Sequence, residues 1–518
     1  MPTRLPGAAV ALALVLAGPL IAHASTSSAS GLVVHTQGGN LRGIDNGAVS
    51  EWRGIPYATP PVGSLRWRAP RPAAQWQGVR DATEFAEPCI QVAFDDQGPN
   101  GTRGSENCLY LNVFAPKGAV PSSKLPVMVH LHPGGNAGFE PYTEATALVE
   151  HGVIVVTLAY RLGVFGFVGH PELSAKQGGH SGEYGMFDQL AALRWVQDNI
   201  AAFGGDSSNV TLFGSSAGSF DTVALTASPL SRGLFARASI QAEPVWGLDD
   251  ANTIRHAERI GVHTARSVGC DAALHVLQCL RDKPAPVLVK ASGVQDVLPW
   301  TGGDVLPQPP SFGLNGEAER PLLVGFDREE DRYFDYSYPA PHPYTKRMWI
   351  RDTNFLLGPQ RGKRARNLYP PDAYGGSRFW SYITMRTDAV RGCPTRRIAN
   401  EVEAPVWRWL YTHTYENANA FEAAGRAAHL FEEPFLWGNF DLFGGHTPTP
   451  SEQELSDQMT AYWTNFAKTG DPNGPGLPQW PRYNQKTEST LALDTPLKVI
   501  TEYHKRQCRL LDKSELFP

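Results

Sequence analysis

A serine between two glycines is the clearest chemical feature of the sequence. Residues 214–218 read Gly-Ser-Ser-Ala-Gly, the Gly-x-Ser-x-Gly pattern of a sharp strand-to-helix turn that exposes a serine hydroxyl. The apolar run VTLFG leads into the turn, and a segment that can begin a helix follows it. The amide of Ala217 would lie at the N-terminus of that helix, where it can donate to an oxyanion. The context favours Ser216 as a nucleophile over an ordinary glycine-rich turn.

A second glycine-rich segment can supply further oxyanion donors. The sequence HLHPGGNAG, residues 130–138, begins in the apolar run VMVHLH and continues beyond its end. Gly134 and Gly135 have no side chain, so a developing negative charge can approach both amides, whereas Pro133 has no N–H to donate. The alternative is a turn that only reverses the chain. A position after a strand and upstream of the nucleophile favours the oxyanion role.

A nucleophilic serine needs a base, and the base needs a carboxylate that orients it. The usual chain order in this arrangement is serine, acid, histidine. The acidic turn after the run PLLVGF offers four carboxylates, and its position does not choose between them: Asp327, Glu329, Glu330 and Asp331. Five histidines follow this turn: His342, His413, His429, His446 and His504. His429 is favoured because it follows the run VWRWLY and precedes an aromatic stretch, and His446, in a glycine-rich loop, is its rival.

Short apolar runs must position these residues. Six of them predict strands buried on both faces: residues 127–132, 153–160, 210–214, 237–242, 321–326 and 406–411. Helical patterns lie between them, and residues 186–200 place four apolar side chains along one helical face. This alternation predicts an α/β fold with a large, mostly parallel, twisted central sheet flanked by helices. Ligands of such sheets bind at the carboxyl ends of the strands, where the candidate residues stand.

The N-terminus predicts export. A short basic start precedes an apolar run over residues 7–22, and Ala22-His23-Ala24 then forms a small-x-small cleavage site. The run is short for a membrane span and is interrupted by Pro19. We therefore predict a signal peptide over residues 1–24, a single domain over residues 25–518, and a secreted or periplasmic protein without stable membrane insertion. The net charge of −5 over 518 residues, without a basic stripe, argues against a nucleic-acid partner.

The six cysteines of an exported chain should mostly be paired. Six cysteines allow fifteen pairings, and the sequence alone does not choose between them. Two short loops are natural candidates, Cys89 with Cys108 and Cys270 with Cys279, which leaves Cys393 with Cys508.

Together these motifs resemble the type-B carboxylesterase family, the α/β-hydrolases that include liver carboxylesterases, cholinesterases and bacterial para-nitrobenzyl esterases. Three further segments are similar to family signatures: WRGIPYATPPVGSLRWRAP at 52–70, SENCLYLNVFAP at 105–116 and YWTNFAKTGDPN at 462–473. The resemblance extends over nearly all of the chain after residue 24. It implies an α/β-hydrolase fold with extended cap or loop insertions, in a member similar to the bacterial para-nitrobenzyl esterases.

The resemblance also implies roles for particular residues. The family's acid lies in Gly-x-Asn-x-Asp-Glu-Gly, which aligns with residues 325–331 and makes Glu330 the acid. The family's base motif fits His429, Glu432 and Gly438, so His446 no longer competes. The implied oxyanion donors are the amides of Gly134, Gly135 and Ala217. The implied disulfides are Cys89–Cys108, Cys270–Cys279 and Cys393–Cys508.

Three positions depart from the family pattern and are candidates for the substrate pocket. Ser215 stands where relatives carry Glu, Asn136 where they carry an aromatic residue, and Glu243 ends a Gln-Ala-Glu that replaces Gln-Ser-Gly. We expect these changes to affect substrate choice and pH optimum rather than the triad itself. The loop between Cys89 and Cys108 contains no Trp, the residue that cholinesterases use there to hold a quaternary ammonium group, which argues against choline esters.

The resulting prediction is a serine carboxylesterase that hydrolyses small-molecule esters through an acyl-enzyme and requires no metal or organic cofactor. A narrower alternative keeps the mechanism but restricts the substrate to a natural-product or polycarboxylate ester. A non-catalytic adhesion module, as some family members are, fits less well because all three triad residues are present.

Overall fold

The computed structural model describes residues 32–93, 101–139, 144–242, 253–292, 297, 299–308, 320–336, 344–442 and 445–512. The predicted signal peptide, residues 1–24, lies outside the described residues, as do His342 and the pocket candidate Glu243.

Thirteen of the described strands form one sheet, and two others pair separately. The sheet strands are β1 (Leu32–Thr36), β2 (Gly39–Asn46), β3 (Val49–Pro56), β4 (Val79–Asp81), β7 (Tyr110–Pro116), β8 (Leu125–Leu131), β9 (Ile154–Leu158), β10 (Gly205–Ser215), β11 (Arg237–Gln241), β12 (Leu322–Asp327), β13 (Val406–Tyr411), β14 (Thr490–Leu493) and β15 (Lys498–Ile500). The separate pair is β5 (Gln91–Val92) with β6 (Thr102–Arg103). The order across the sheet is β1-β2-β3-β7-β9-β8-β10-β11-β12-β13-β14-β15, with β4 beside β2.

The centre of this sheet is parallel. Strands β9, β8, β10, β11, β12, β13 and β14 run in one direction, whereas the pairs at both margins are antiparallel except for β4, which pairs in parallel with β2. Each of the six predicted runs forms one of these parallel strands, which confirms the predicted α/β fold. Parallel strands are covered on both faces, so their sequences read as continuous apolar runs and are easy to recognise.

The connecting segments supply the helices. They are α1 (Thr146–Glu150), α2 (Gly163–Gly166), α3 (Pro171–Lys176), α4 (Tyr184–Asn199), α5 (Ala217–Ala227), α6 (Ile254–Ser267), α7 (Val276–Asp282), α8 (Ala285–Ser292), α9 (Asp331–Tyr336), α10 (Lys346–Leu368), α11 (Arg378–Thr387), α12 (Cys393–Glu401), α13 (Ala420–Gly425), α14 (Glu433–Trp437), α15 (Pro450–Thr469) and α16 (Lys505–Leu511). None of the helices in the described ranges is long and apolar enough to cross a membrane.

The described residues form four apolar clusters, and alternation along the strands builds the two largest, one on each face of the sheet. On β8, Val127 and Val129 enter a core that also contains Leu193 of α4. Met128, between them, points to the opposite face and packs in a core with Met459 of α15. Successive side chains of a strand point to opposite faces, so one buried strand contributes to both cores. The result is a three-layer arrangement that holds the central strands rigid.

Three disulfides are present: Cys89–Cys108, Cys270–Cys279 and Cys393–Cys508. The last joins the start of α12 to α16 across a sequence separation of 115 residues, whereas the second closes a separation of only 9. The long bridge therefore restricts the unfolded chain far more than the short one does.

Removing the long bridge should destabilise the protein more than removing the short one. In the chain-entropy model the stabilisation grows with the logarithm of the loop length, so the two losses should differ by about 2 kcal/mol. We expect urea unfolding under non-reducing conditions to show this difference between Cys393→Ser/Cys508→Ser and the matched control Cys270→Ser/Cys279→Ser. Equal losses in the two variants would contradict the assignment of the effect to loop closure.

Candidate active site

Ser216 occupies the turn between β10 and α5. Its backbone has φ of 52° and ψ of −122°, a conformation that L-residues rarely adopt. The glycines on either side make this turn possible, since a Cβ on Gly214 would overlap the carbonyl of Gly218, and one on Gly218 would overlap the carbonyl of Leu131 on β8. The amide of Ser216 donates to the carbonyl of Gln241 at 3.1 Å. The sequence pattern is therefore a steric requirement of this turn.

A chain of hydrogen bonds joins Ser216 to a histidine and a carboxylate. Nε2 of His429 lies 2.8 Å from Oγ of Ser216, and Nδ1 lies 2.5 Å from Oε2 of Glu330. The second oxygen of Glu330 accepts the backbone N–H of Asp327 at 2.8 Å. Glu330 follows β12 and His429 follows β13, so the two loops leave the same edge of the sheet. With a proton on Nδ1, the imidazole offers Nε2 as the acceptor for the serine proton.

Burial and the charge of Arg391 act in opposite directions on the pKa of Glu330. Glu330 is fully buried, and burial raises the pKa of its carboxyl well above the usual range. The charge of Arg391 and the hydrogen bond from the amide of Asp327 lower that pKa and favour the carboxylate.

The other candidates have different partners. Glu329 accepts from Arg328 at 2.8 Å, and Asp331 pairs with Arg386 at 3.0 Å. Burial raises the pKa of Asp327, and the charge of the neighbouring Glu432 raises it further. Of the four carboxylates in the turn, the structure brings Glu330 to His429.

The rival histidines are also held elsewhere. His446 lies 2.9 Å from Glu452, and His413 contacts the same carboxylate at 3.1 Å. His504 contacts Asp388. Of the downstream histidines in the described residues, only His429 reaches Ser216.

The glycine-rich segment after β8 forms a tight turn beside the turn of Ser216. Gly134 has φ of 108° and Gly135 has φ of 63°, and a Cβ on Gly134 would overlap the carbonyl of Gly138. Because β8 and β10 are neighbouring parallel strands, this turn and the serine turn meet at one edge. Among the described residues, nothing accepts a hydrogen bond from the amides of Gly134, Gly135 or Ala217. These amides can therefore serve an incoming oxygen atom.

Asn136 has a different environment from the one expected of a pocket residue. It is fully buried, and its amide is engaged within the protein: Nδ2 donates to Asp221 at 2.9 Å, and Oδ1 accepts the hydroxyl of Tyr160 at 2.8 Å. Both ends of its amide are therefore bonded within the protein, one of them to α5, instead of being open to a cavity.

Ser215 is also fully buried, and its hydroxyl donates to the carboxylate of Glu433. That carboxylate also accepts Nε1 of Trp437 at 2.5 Å and Nε2 of Gln241 at 3.3 Å. Burial raises the pKa of Glu433, and the hydrogen bonds from Ser215 and Trp437 oppose the rise. The position at which the family resemblance implies a glutamate thus faces a glutamate from another segment.

Sequence reasoning missed Asp221 and Glu433. The available signals were an aspartate in the otherwise uncharged helical segment FDTVALTA and a second glutamate beside Glu432 in an aromatic stretch. In the described residues, no three histidine, cysteine or acidic side chains are grouped so as to hold a metal ion.

Comparison with known proteins identifies the family. The model of the carboxylesterase family matches residues 30–511. The para-nitrobenzyl esterase of Bacillus subtilis is 34% identical over 510 residues, covering 93% of this chain and 99% of that protein. The fumonisin B1 esterase of Sphingopyxis macrogoltabida is 32% identical, covering 93% and 90%. A solved para-nitrobenzyl esterase structure superposes with a TM-score of 0.76 at 33% identity, covering 92% of this chain and 99% of the other.

The match covers nearly the whole chain in both sequence and structure. It agrees with the large, mostly parallel sheet and with the serine turn at its edge. The fold is accordingly the α/β-hydrolase fold. This chain belongs to the carboxylesterase family and is a serine hydrolase that acts on carboxylic esters.

Proposed function

We propose that the protein is an exported carboxylesterase in which Ser216, His429 and Glu330 form the catalytic triad. The observation that carries the proposal is the continuous hydrogen-bonded path from the Ser216 hydroxyl through both nitrogens of His429 to Glu330. This path provides a base for the serine and a carboxylate for the base, the two requirements for a hydroxyl nucleophile at neutral pH.

The first half of the reaction forms an acyl-enzyme. Oγ of Ser216 attacks the ester carbonyl carbon while its proton moves to Nε2 of His429. Glu330 accepts the hydrogen bond from Nδ1–H of His429 and stabilises the imidazolium that forms. The imidazolium then gives its proton to the departing alkoxide, and the alcohol leaves. Water repeats the sequence on the acyl-enzyme and releases the carboxylic acid.

The negative charge of the tetrahedral intermediate falls on the former carbonyl oxygen. We infer that the amides of Gly134, Gly135 and Ala217 donate hydrogen bonds to this oxygen. None of the described residues accepts a hydrogen bond from these three amides, so they are available to it. A preorganised donor of this kind contributes about 3 kcal/mol to transition-state stabilisation.

Export is the proposed setting for this reaction. The basic start, the apolar run and the cleavage site after Ala24 support a signal peptide over residues 1–24 and one catalytic domain over residues 25–518. The three disulfides are compatible with an oxidising compartment.

A second candidate function is hydrolysis of a specialised natural-product or polycarboxylate ester. The similarity to a protein named fumonisin B1 esterase favours testing it. Hydrolysis rates on para-nitrobenzyl acetate, neutral esters of increasing acyl length and fumonisin B1 separate the two. A general carboxylesterase hydrolyses the neutral series, whereas a specialised enzyme is active on fumonisin B1 and slow on the rest.

Substitution of the triad should identify its acid. Ser216→Ala is expected to lose phosphonate labelling and esterase activity. Glu330→Gln should lower kcat about 10³- to 10⁴-fold, because the imidazole loses the carboxylate that orients and stabilises it. Glu329→Gln and Asp331→Asn are matched controls from the same turn, and their kcat should stay close to wild type. A loss in either control as large as that in Glu330→Gln would contradict the assignment.

The Ser215 hydroxyl should matter more for stability at alkaline than at acidic pH. Ser215→Ala removes a donor that lowers the pKa of Glu433, so that pKa rises further in the folded protein. A carboxyl whose folded-state pKa is raised costs stability once the pH exceeds the unfolded-state value, and the cost grows until the pH passes the folded-state value. We expect the free energy of unfolding to fall below wild type by about 1–3 kcal/mol at pH 8, and by less at pH 5.

Urea unfolding at the two pH values measures this difference. The same Ser215→Ala change in a Glu433→Gln background is the control, because the ionisable group is then absent. A pH-dependent difference that persists in that background would exclude Glu433 as its source.

A further inference from the structure

We propose that Asn136 and Asp221 are positioning residues of the esterase reaction, and that their hydrogen bond holds the loop of Gly134 and Gly135 in register with the helix of Ala217. The inference rests on the proposed function, because it concerns the groups behind the proposed oxyanion donors. Neither side chain contacts the reacting atoms in this role; both act through the backbone amides.

Asn136 fixes the loop from three directions. Its Nδ2 donates to Oδ1 of Asp221 at 2.9 Å, and its Oδ1 accepts the Tyr160 hydroxyl at 2.8 Å. Its carbonyl accepts the amide of Gly163 at 2.7 Å. Asn136, the residue directly after Gly135, is thus fully buried and is held by α5, by Tyr160 and by the backbone of Gly163.

Asp221 supplies the helix side of this contact. It lies on α5, five positions after Ser216, and is fully buried. Its Oδ1 accepts from Asn136, and its Oδ2 accepts Nε2 of Gln189 on α4 at 2.5 Å. Ala217, the first residue of α5, shares this rigid helix with the carboxylate. One hydrogen bond therefore joins the two chain segments that carry the donors.

The contact favours an ionised carboxylate. Two side-chain NH₂ groups converge on Asp221, one at each oxygen, and an ionised carboxylate is purely an acceptor at both. An amide at this position would place its NH₂ group against one of the two donors. Burial raises the pKa of Asp221 to about 7, and the hydrogen bonds from Gln189 and Asn136 oppose the rise. The two amides thus favour the charged form of Asp221 against the effect of burial.

Asp221→Asn should impair the chemical step more than substrate binding. The new amide accepts from one neighbour only, and its NH₂ group opposes the other, so the loop shifts relative to α5. Displacements of about 1 Å in a catalytic group cost up to about 10²-fold, and we expect kcat to fall about 10- to 100-fold with KM little changed. Inhibition by a trifluoromethyl ketone, which forms a tetrahedral adduct with serine, should weaken by the factor by which kcat/KM falls.

Exchange of the two side chains should restore activity. In Asn136→Asp/Asp221→Asn, the NH₂ at position 221 donates to the carboxylate at position 136, and its carbonyl accepts from Gln189. The Tyr160 hydroxyl then donates to the same carboxylate. We expect the kcat of the exchanged variant to recover most of the loss. Thr226→Ala is the control on α5, since its hydroxyl bonds only within the helix, and it should leave kcat and the ketone affinity unchanged.

A second pair of variants keeps the inference testable if the exchanged protein does not fold. These are Asn136→Ala and the double variant Asn136→Ala/Asp221→Asn. The double variant should lose no more kcat than the more damaging of the two single variants, because each single change already removes the same hydrogen bond. Wild-type kcat in Asp221→Asn, additive losses, or an exchanged protein of wild-type Tm that stays impaired would each overturn the inference. Wild-type activity in Ser216→Ala would overturn the proposed function instead, so the two failures are distinguishable.

Discussion

The site depends on the alignment of neighbouring parallel strands along one edge of the sheet. Gly214 of β10 pairs with Leu131 of β8, and Asp327 of β12 pairs with Tyr411 of β13. Loops that leave these strands begin at the same level, although they are separated by tens to hundreds of residues in sequence. The turns of Ser216 and Gly134, the carboxyl of Glu330 and the imidazole of His429 each follow one such strand. Because both faces of the sheet are covered by packed cores, the strand ends are held in place. Ser216, Gly134 and Glu330 lie close to their strand ends, whereas a longer segment that includes α13 leads from β13 to His429, whose imidazole contacts both Ser216 and Glu330.

Burial of acidic groups is the second physical theme of this edge. Asp327, Glu330, Glu432 and Glu433 are all buried near the end of β12 and the start of α14. Burial raises the pKa of each of them. The charge of Arg391 and a backbone amide oppose the rise at Glu330, whereas a serine hydroxyl and an indole N–H oppose it at Glu433. The carboxylate of Glu330 lies against Nδ1 of His429, whereas that of Glu433 is bonded to Ser215 and Trp437.

Local sequence was sufficient for features whose cause is local. The central strands were predictable because burial on both faces gives continuous apolar runs, and the serine turn because its glycines are sterically required. The choice of Glu330 within the acidic turn needed the family resemblance, since adjacent positions of a turn differ only in direction. The contacts of Asn136 and Ser215 could not be predicted. Their partners lie 85 and 218 residues away, and no local pattern reports which side chain will face them.

The two buried pairs restrict how the sequence can change over evolutionary time. Asn136 meets Asp221, and Ser215 meets Glu433, in places that water does not reach. A mutation on one side alone leaves a polar group of the other side buried without its partner, an intermediate that is less fit than either matched pair. Each pair is consequently expected to be inherited as a unit, and the effect of a substitution at one member depends on the residue present at the other.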